Sequence, residues 1–392
     1  MTNNETVKGF SDYAGEEAQK REKVAEIARK IFKLYGFEPA ETPIIEFEEF
    51  VKGENEFDEA VSDIFKLKDK GERNLALRYE LTFQLKRISQ NKKFPYKRYQ
   101  IGEVFRDEPV SSNRFRQFTQ CDIDAIGSTC KEEAEVLACI SRILKELKID
   151  AEIKINNRKL LNSTIKSLGI DNTEFVLREL DKLDKQGEDQ VKLNLAKFIS
   201  KDKIVALLKQ LRKPLSAFKK YEGYKELKEL IDLCESYGFK PVFSPTLARG
   251  LSYYNSSVFE FKTKEQKESI GAGGSYLING IQATGASFGL ERLSTLAKIK
   301  ADDNQVLIIN INQDKKSIDL AEKLRKKDIS VTISEKISKG LEYANAYGIS
   351  QVIFLGSEEA KKKKFKLKNM KTGKEEMLGE KELIVSILAK NS

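Results

Sequence analysis

The segment YQIGEVFRDEPVSSNRFRQFTQCDID (Tyr99–Asp124) carries more information about the architecture than any other part of the chain. Two runs rich in aromatic and β-branched residues, Tyr99–Phe105 and Phe115–Ile126, predict two strands. The polar loop between them predicts antiparallel pairing. Arg106 ends the first strand and Arg114 begins the second, so both guanidinium groups can reach one anion at the open end of this hairpin.

Two later segments repeat this combination of a strand-like run and an arginine. They are ARGLSYYNSSVFEFK (Ala248–Lys262), which contains Arg249, and GASFGLERL (Gly285–Leu293), which contains Arg292. Any one segment could be an ordinary strand with a surface ion pair, and the first hairpin could simply be held by Arg–Glu pairs. Together the three segments predict one ATP site, because arginine forks match phosphate oxygens and several can surround a triphosphate.

The rest of the first 160 residues mixes helices with hairpins. The sequence predicts helices over Glu16–Tyr35, Glu80–Gln90 and Lys131–Leu147. Alternating residues in Asp63–Lys68 and Arg73–Arg78 predict a further hairpin. This mixture is typical of an α+β core built on an antiparallel sheet.

Strand-like segments resume after residue 240. Strands are predicted at Pro241–Phe243, Ser257–Lys262 and Ala283–Phe288, with a glycine-rich turn at Gly271–Gly274 and a helix from about Leu290. A Rossmann fold is disfavoured because no GxGxxG follows an early strand. A P-loop is excluded because GxxxxGK[ST] does not occur.

Two regions differ from this core in composition and in the pattern of predicted elements. The stretch between residues 161 and 240 is helix-like and rich in charge, which predicts a helical insertion with its own small core. Farther on, apolar strands at Val306–Ile311, Ile329–Ile333 and Gln351–Leu355 alternate with helices at Lys315–Lys326 and Lys336–Tyr347. This βαβαβ order predicts a small sheet covered by helices. We therefore predict a core made of 1–160 and 241–301, an insertion at 161–240 and a C-terminal α/β domain at 302–392.

Composition limits the chemistry. The 392 residues include no histidine, and the four cysteines form no CxxC pair, so a metal site made of His or Cys ligands is not expected. Imidazole-based catalysis is excluded, which leaves arginines, carboxylates, backbone groups and bound Mg²⁺ and suits adenylyl transfer. No apolar run reaches the roughly 20 residues of a membrane span and no signal-peptide core is present, so we expect a cytoplasmic protein without a membrane partner.

The net charge of +9 is concentrated toward the C-terminus. Asn304–Ser392 holds 18 lysines and arginines against 12 aspartates and glutamates. A basic terminal domain suits a nucleic-acid partner, although a solvated lysine-rich surface carries the same charge. The run KKKKFKLK (Lys361–Lys368) could follow phosphates while Phe365 stacks on a base, or it could form a charged hairpin at a sheet edge.

These segments resemble those of a known enzyme family. FRDEP…RFRQF, with QCDID after it, resembles motif 2 of the class II aminoacyl-tRNA synthetases, and GASFGLERL resembles motif 3. Glu16–Glu46 resembles motif 1, their dimer element. ARGLSYY is similar to the signature of the histidyl-tRNA synthetases, and LALRYELT (Leu75–Thr82) to their early substrate-binding segment. The resemblance covers nearly the whole chain and implies a class II synthetase-like core, with a C-terminal domain of the anticodon-binding type.

The resemblance implies an ATP site made by the arginine segments. Arg106 would bind the α-phosphate and the amino-acid carboxylate, and Arg249 would be the cationic catalyst at the α-phosphate. The other ATP-binding residues would be Glu108 and Phe118 at adenine, Arg114 at the distal phosphates and Arg292 at the γ-phosphate. Mg²⁺ would be bound mainly through ATP.

The resemblance also implies a histidine site. Its residues would be Glu80 and Thr82 at the ammonium group, and Gln120, Asp124, Tyr253 and Tyr254 around the side chain. The Asp124 carboxylate can accept the imidazole N–H, although a carboxylate that caps local amides is the alternative. The implied reaction forms histidyl-adenylate from ATP and L-histidine and then transfers histidine to the 3′ end of tRNA(His), in a homodimer.

The sequence departs from the family pattern in two places. Ser252 stands where the family usually has Asp, and Ser275 and Leu277 stand where a GGRYD pattern has Arg and Asp. These changes would alter polarity near the pocket. Two other functions stay open at this point. One is a non-catalytic, synthetase-like regulatory subunit of ATP phosphoribosyltransferase, which typically lacks the catalytic arginines and the C-terminal domain. The other is an accessory protein that binds nucleic acid and forms no adenylate.

Overall fold

A computed structural model describes residues 4–53, 59–111, 114–248, 254–266, 268–299, 305–362 and 364–390. These residues form two compact units. The first comprises the described parts of Met1–Asp12 and Val24–Ile299, and the second those of Tyr13–Lys23 and Lys300–Ser392. The finer division into four segments remains a prediction. None of the helices in the described ranges has the length and apolar character needed to cross a membrane.

The first unit contains eleven strands in the described residues. They are β1 (Glu38–Pro39), β2 (Ile45–Phe47), β3 (Lys66–Lys68), β4 (Asn74–Leu77), β5 (Tyr96–Phe105), β6 (Gln117–Ile126), β7 (Ala151–Asn157), β8 (Val242–Phe243), β9 (Ser257–Thr263), β10 (Gly271–Ile278) and β11 (Ile281–Gly289). Eight of them form one sheet in the order β1-β5-β6-β11-β10-β9-β7-β8, and β2-β4-β3 form a second sheet. The large sheet is antiparallel except at its two outer pairs, β1 with β5 and β7 with β8.

Residues 15–23, at the start of the first helix, belong to the second unit, and the helices that accompany these strands fall between residues 15 and 296. They are α1 (Gly15–Leu34), α2 (Glu48–Lys52), α3 (Glu59–Ser62), α4 (Leu85–Ile88), α5 (Cys130–Glu146), α6 (Arg158–Ser167), α7 (Thr173–Asp181), α8 (Leu183–Gln186), α9 (Glu188–Leu195), α10 (Lys201–Leu211), α11 (Tyr224–Ser236) and α12 (Leu290–Leu296), with a 3₁₀ turn at Leu215–Phe218. The predicted insertion therefore is helical. It has a separate apolar cluster that includes Leu161, Val176, Leu195 and Leu207.

Alternation along the central strands gives the large sheet two unlike faces. Side chains of directly paired residues in an antiparallel ladder lie on the same face. Tyr99, Ile123 and Ala286 form one such row and pack into the main apolar core with α5. Arg98 and Asp124, one residue away on each strand, belong to the opposite row. We call the first the apolar face and the second the polar face.

Helix α5 closes the apolar face. It begins at a capping box, in which the Glu132 carboxylate accepts from the Thr129 backbone N–H at 2.7 Å while the Thr129 hydroxyl caps the first turn. Its buried side chains include Leu137, Ile140 and Ile143, which are 0% exposed. Burial of each such side chain contributes about 1.5–3 kcal/mol to the stability of the fold. The apolar face is thus the source of most of the packing energy at the centre of this unit.

The predicted glycine-rich turn at Gly271–Gly274 is wrong, because these residues begin strand β10. Small residues are needed in the strand: a Cβ atom on Gly273 would lie 2.1 Å from the Gly285 carbonyl oxygen of the neighbouring strand. The turn is instead at Asn279 and Gly280, with φ values of 50° and 76°. Asn-Gly is a strong hairpin signal in sequence, because both residues tolerate positive φ.

The helix predicted over Glu80–Gln90 is also largely wrong, because only Leu85–Ile88 is helical. The preceding residues alternate: Tyr79, Leu81 and Phe83 are buried, whereas Glu80 and Thr82 are partly exposed. Bends at Leu81 and Thr82 and a turn at Phe83 and Gln84 precede the helix, so alternate side chains can lie on opposite sides, which a continuous helix would not allow.

The second unit contains β12 (Gln305–Asn310), β13 (Ser330–Ser334), β14 (Gln351–Leu355), β15 (Lys364–Asn369) and β16 (Glu375–Gly379). Its helices are α13 (Asp314–Arg325), α14 (Ile337–Ala346), α15 (Ser357–Lys362) and α16 (Glu380–Lys390). The strand order is β13-β12-β14-β15-β16, parallel for the first three and antiparallel for the last two. The predicted βαβαβ order is observed, and the lysine-rich run continues into an added hairpin whose outer strand is β16.

Candidate active site

A cavity of about 660 Å³ lies over the polar face of the large sheet. Ten residues predicted to bind ATP or histidine line it: Glu80, Thr82, Arg106, Glu108, Arg114, Phe118, Gln120, Asp124, Tyr254 and Arg292. Segments separated by more than 200 residues in sequence therefore meet at one place. The predicted residues Arg249 and Tyr253, and the departure at Ser252, lie outside the described residues.

Strand β6 forms the centre of the cavity wall. Phe118, Gln120, Asp122 and Asp124 alternate with residues of the apolar face, so all four line the cavity. Gly285 pairs with Asp124 from the neighbouring strand, and a Cβ atom there would lie 2.1 Å from the Asp124 Oδ1. A glycine at this position leaves space for the carboxylate.

The Arg106 guanidinium is held at the end of β5. Its Nε donates to the Tyr79 carbonyl at 3.1 Å, and its Cζ lies 5.1 Å from the centre of the Phe118 ring. Arg114 pairs with Glu108 at 3.4 Å, so the Arg–Glu pairing considered for this hairpin is present within the cavity wall. That exposed pair contributes little to stability, and both side chains remain available to a ligand.

Arg292 reaches the cavity from the first turn of α12. Its Nη1 donates to the Ser269 carbonyl at 2.6 Å. The adjacent Glu291 carboxylate accepts from the Thr119 backbone N–H at 3.0 and 3.2 Å through its two oxygens. This contact fixes the start of α12 against β6, which positions Arg292 relative to the β5–β6 hairpin.

Asp124 lies in a buried polar network. The Tyr276 hydroxyl donates to its Oδ1, and its Oδ2 lies 2.8 Å from Arg98 Nη2. Burial raises the pKa of Asp124, while the Arg98 charge and the Tyr276 hydrogen bond oppose this shift. Asp124 is therefore more than a surface carboxylate that caps local amides.

Asp122 is a second buried carboxylate on the same face. It accepts from the Ser287 hydroxyl. Burial raises its pKa to about 7, and the neighbouring Asp124 adds to the shift, while Arg98, the Ser287 hydrogen bond and Arg106 oppose it. Two close carboxylates in one buried site repel each other, which favours a proton on one of them.

Several cavity-lining residues were not singled out from the sequence: Asp122, Ser287, Tyr276, Glu260 and Lys262. The alternation in QCDID was a usable signal for Asp122, since period 2 places it on the same face as Asp124. Tyr276 was missed because the sequence predicts a turn at Gly271–Gly274 and no strand between it and Ala283, whereas Tyr276 lies in β10.

The Ser275 departure lies on the other side of the sheet. Its hydroxyl donates to Glu133 of α5, which also accepts from Ser257 at 2.6 Å. Burial raises the pKa of Glu133, and both hydrogen bonds oppose that shift. Leu277 is 52% exposed. Within the described part of the chain, no group of three or more His, Cys, Asp or Glu side chains could hold a metal ion.

The antiparallel sheet, the arginine-lined cavity and the second, α/β unit are the features that a class II aminoacyl-tRNA synthetase would have. The family model for histidyl-tRNA synthetase matches residues 9–293, and that for an anticodon-binding domain matches 305–390. The chain therefore belongs to the histidyl-tRNA synthetase family. This finding confirms the resemblance and the fold class predicted from the sequence.

Comparisons with individual relatives support this family assignment. Histidine–tRNA ligase 1 of Bacillus cereus is 33% identical over 408 residues, with 94% of each chain covered. A crystal structure of histidyl-tRNA synthetase from Nostoc superposes with a TM-score of 0.89 at 26% identity and covers 100% of both chains. A structure described as an ATP phosphoribosyltransferase regulatory subunit/histidyl-tRNA synthetase from Bacillus halodurans has a TM-score of 0.74 at 21% identity, covering 90% of this chain and 98% of that one. The last similarity shows the shared fold alone.

Proposed function

We propose that this chain attaches L-histidine to tRNA(His) at the expense of ATP. The observation that supports this most strongly is the convergence of ten predicted ligand-binding side chains on one cavity over the polar face. Family membership sets the reaction class, an aminoacyl-tRNA ligase. The regulatory-subunit alternative is not favoured.

The reaction has two steps. A carboxylate oxygen of histidine attacks the α-phosphorus of ATP, the bond to pyrophosphate breaks, and histidyl-adenylate forms. A hydroxyl of the terminal tRNA ribose then attacks the activated carbonyl carbon, and AMP leaves. Neither step needs a protein nucleophile. The protein contributes mainly by positioning the reactants and by stabilising charge that develops on the phosphate.

The arginines supply that charge. Arg106 would contact the α-phosphate and the histidine carboxylate. Arg249 would act on the same phosphate, an assignment that depends on the ARGLSYY resemblance. Arg114 and Arg292 would bind the distal phosphates, with adenine against Glu108 and Phe118. Mg²⁺ would enter with ATP, because it usually retains several waters and binds through substrate phosphates and one or two carboxylates.

The histidine side chain would lie against β6. Asp124 offers an acceptor for the imidazole N–H, and Tyr254 lines the cavity beside it. The Oε1 atom of Gln120 is buried and has no hydrogen-bond partner among the described residues, so it is a second acceptor that a ligand N–H could satisfy. Glu80 and Thr82 would bind the ammonium group. A site that makes such bonds rejects amino acids lacking the donor, by about 10⁴–10⁵-fold in favourable cases.

The second unit would bind the tRNA. Its match to an anticodon-binding domain supports this assignment. In β15, Lys366 and Lys368 lie 3.4 and 3.6 Å from Glu375 of β16, so these lysines are partly neutralised within the hairpin. A role for the Lys361–Lys368 run in following phosphates remains a proposal. The homodimer and the cytoplasmic location likewise remain predictions.

The proposed function is tested by ATP–pyrophosphate exchange with each of the twenty amino acids, followed by charging of tRNA(His). We expect exchange with histidine alone and a histidyl ester on the tRNA. Exchange with a different amino acid would contradict the assigned pocket. Purified, folded protein that supports no exchange at all would favour the regulatory or accessory alternatives.

A further inference from the structure

Arg98 is a buried arginine directly behind the cavity wall. It lies on β5, opposite Asp124 in the ladder, and its side chain is 0% exposed. Nothing in the sequence pattern marks it, because it falls just before the strand predicted from Tyr99. A fully buried charge of this kind is rare unless it is paired.

The Arg98 guanidinium contacts both parts of the proposed histidine site. Its Nη2 lies 2.8 Å from the Asp124 Oδ2, in the part assigned to the imidazole. The same nitrogen donates to the Leu81 carbonyl at 2.6 Å. Leu81 lies between Glu80 and Thr82, which are assigned to the ammonium group. One buried group thus links the two segments that must be correctly spaced for histidine to bind.

The pairing is incomplete in a way that ordinary core packing does not explain. Nε and Nη1 of Arg98 and Oδ2 of Asp124 are buried, and none has a hydrogen-bond partner within the described ranges. The Arg98–Asp124 contact is close but lacks hydrogen-bond geometry. Buried polar atoms are normally satisfied, and a buried ion pair is often no more stabilising than apolar residues of the same shape. Stability alone does not account for a charge at this position.

We propose that Arg98 is a positioning residue for histidine, which orients the Asp124 carboxylate toward the imidazole N–H and holds Glu80–Thr82 at the matching distance. This inference depends on the proposed function. The positive charge also faces Asp122, so it offsets two carboxylates that would otherwise repel each other on the polar face. Arg98 itself need not touch the substrate.

The test uses Arg98→Met, which keeps an unbranched, flexible side chain of shorter reach and removes the charge and the donors. We expect the KM for histidine in the exchange reaction to rise by about tenfold to hundredfold, the range produced by small misplacements in a site. The KM for ATP should change by less than about threefold, because the phosphate-binding arginines are untouched. Arg98→Lys restores the charge without the planar fork and should recover part of the histidine affinity.

Arg158→Met is the matched control. Arg158 is another largely buried arginine, paired with Glu174 at 2.7 Å away from the cavity. The Arg158→Met substitution should lower the free energy of unfolding without changing the ratio of the KM for histidine to the KM for ATP. Equal changes in both KM values for Arg98→Met, or no change in a folded protein, would overturn the inference. If Arg98→Met does not fold, Arg98→Lys decides: an unaltered KM for histidine overturns it, and a selective rise supports it. An unaltered chain that shows no histidine-dependent exchange would overturn the proposed function, and this inference with it.

Discussion

The two faces of the eight-stranded sheet are built from the same strands but bury opposite kinds of side chain. On the apolar face, Ile123 and Phe288 pack under α5. On the polar face, Asp122, Asp124 and Arg98 are almost as fully buried, at 3%, 3% and 0% exposure. Buried charges are costly unless paired, so the polar face reduces stability where the apolar face increases it. The difference supports the proposal that the polar face is the ligand-binding side of the sheet.

If this contrast holds, substitutions on the polar face should affect activity far more than stability. Arg106→Ala should reduce the histidine-dependent exchange rate by about 10²–10³-fold, the loss typical when one stabilising donor is removed from a reacting centre. The melting temperature should change little. Arg73→Ala is the control, because that side chain is 65% exposed and pairs with the nearby Asp69. Comparable losses in both variants would mean that the arginine effect is not specific to the cavity.

The destabilising effect of buried charge on the polar face can be measured from the pH dependence of the free energy of unfolding. The Asp122 pKa is raised to about 7, so between about pH 4 and pH 7 the folded chain retains a proton that the unfolded chain releases. The free energy of unfolding therefore falls as pH rises across this window. Asp122→Asn lacks this proton, and its amide oxygen can still accept from Ser287.

We expect the stability difference between Asp122→Asn and the unaltered chain to grow by about 2–3 kcal/mol from pH 5 to pH 7, in favour of the variant. Urea unfolding at pH 5, 6 and 7 measures this difference. Carboxylates that do not interact with Asp122 titrate alike in both proteins and cancel in the comparison, whereas Asp124, which repels Asp122, contributes to the measured difference. Parallel pH curves for the two proteins would show that Asp122 is ionised throughout and that the polar face carries a smaller cost.

A smaller effect on the KM for histidine is expected for a substitution that only adds volume beside Asp124. In Gly285→Ala, the new methyl group would overlap the Asp124 carboxylate, which is already held by Arg98 and Tyr276. We predict about a tenfold rise in the KM for histidine. Gly71→Ala provides the comparison, because its added Cβ would meet Asp69 at an ordinary 3.4 Å. A normal KM for histidine in Gly285→Ala would indicate that Asp124 can move freely and does not form a fixed pocket.

The smallest predicted effect comes from the apolar face. Ile123 lies between Asp122 and Asp124 in sequence, yet it is 0% exposed in the core. Ile123→Val should lower the free energy of unfolding by about 0.5–1.5 kcal/mol, through a lost methylene and the small cavity left behind. Exchange kinetics of the folded protein should stay normal. A selective change in the KM for histidine would show that the two faces are coupled through the strand.

The sequence predicted the central hairpin because both of its strands alternate clearly and are joined by a polar loop. It also predicted ten of the residues that line the cavity, since the arginine segments carry recognisable motifs. The glycine content of Gly271–Gly274 led to the wrong prediction of a turn, because these glycines allow close approach between strands. The real turn at Asn279 and Gly280 was available as an Asn-Gly signal.

Other features depend on long-range pairing and could not be predicted from local patterns. The contacts of Arg98 form only when β5 pairs with β6 and the Leu81 carbonyl approaches from a third segment. The bends and turn of residues 81–84 similarly reflect what lies on the two sides of this segment, not its own helix propensity. Ser275 was expected near the pocket, but pairing places it on the side of Glu133.

The central claim is that the polar face binds histidine and ATP together. A crystal structure of the chain with a non-hydrolysable histidyl-adenylate analogue tests it most directly. We predict that an imidazole nitrogen lies within about 2.7–3.2 Å of the Asp124 carboxylate and that the group replacing the phosphate lies beside Arg106. An analogue bound away from the polar face, or one whose imidazole contacts neither Asp124 nor Gln120, would contradict the account.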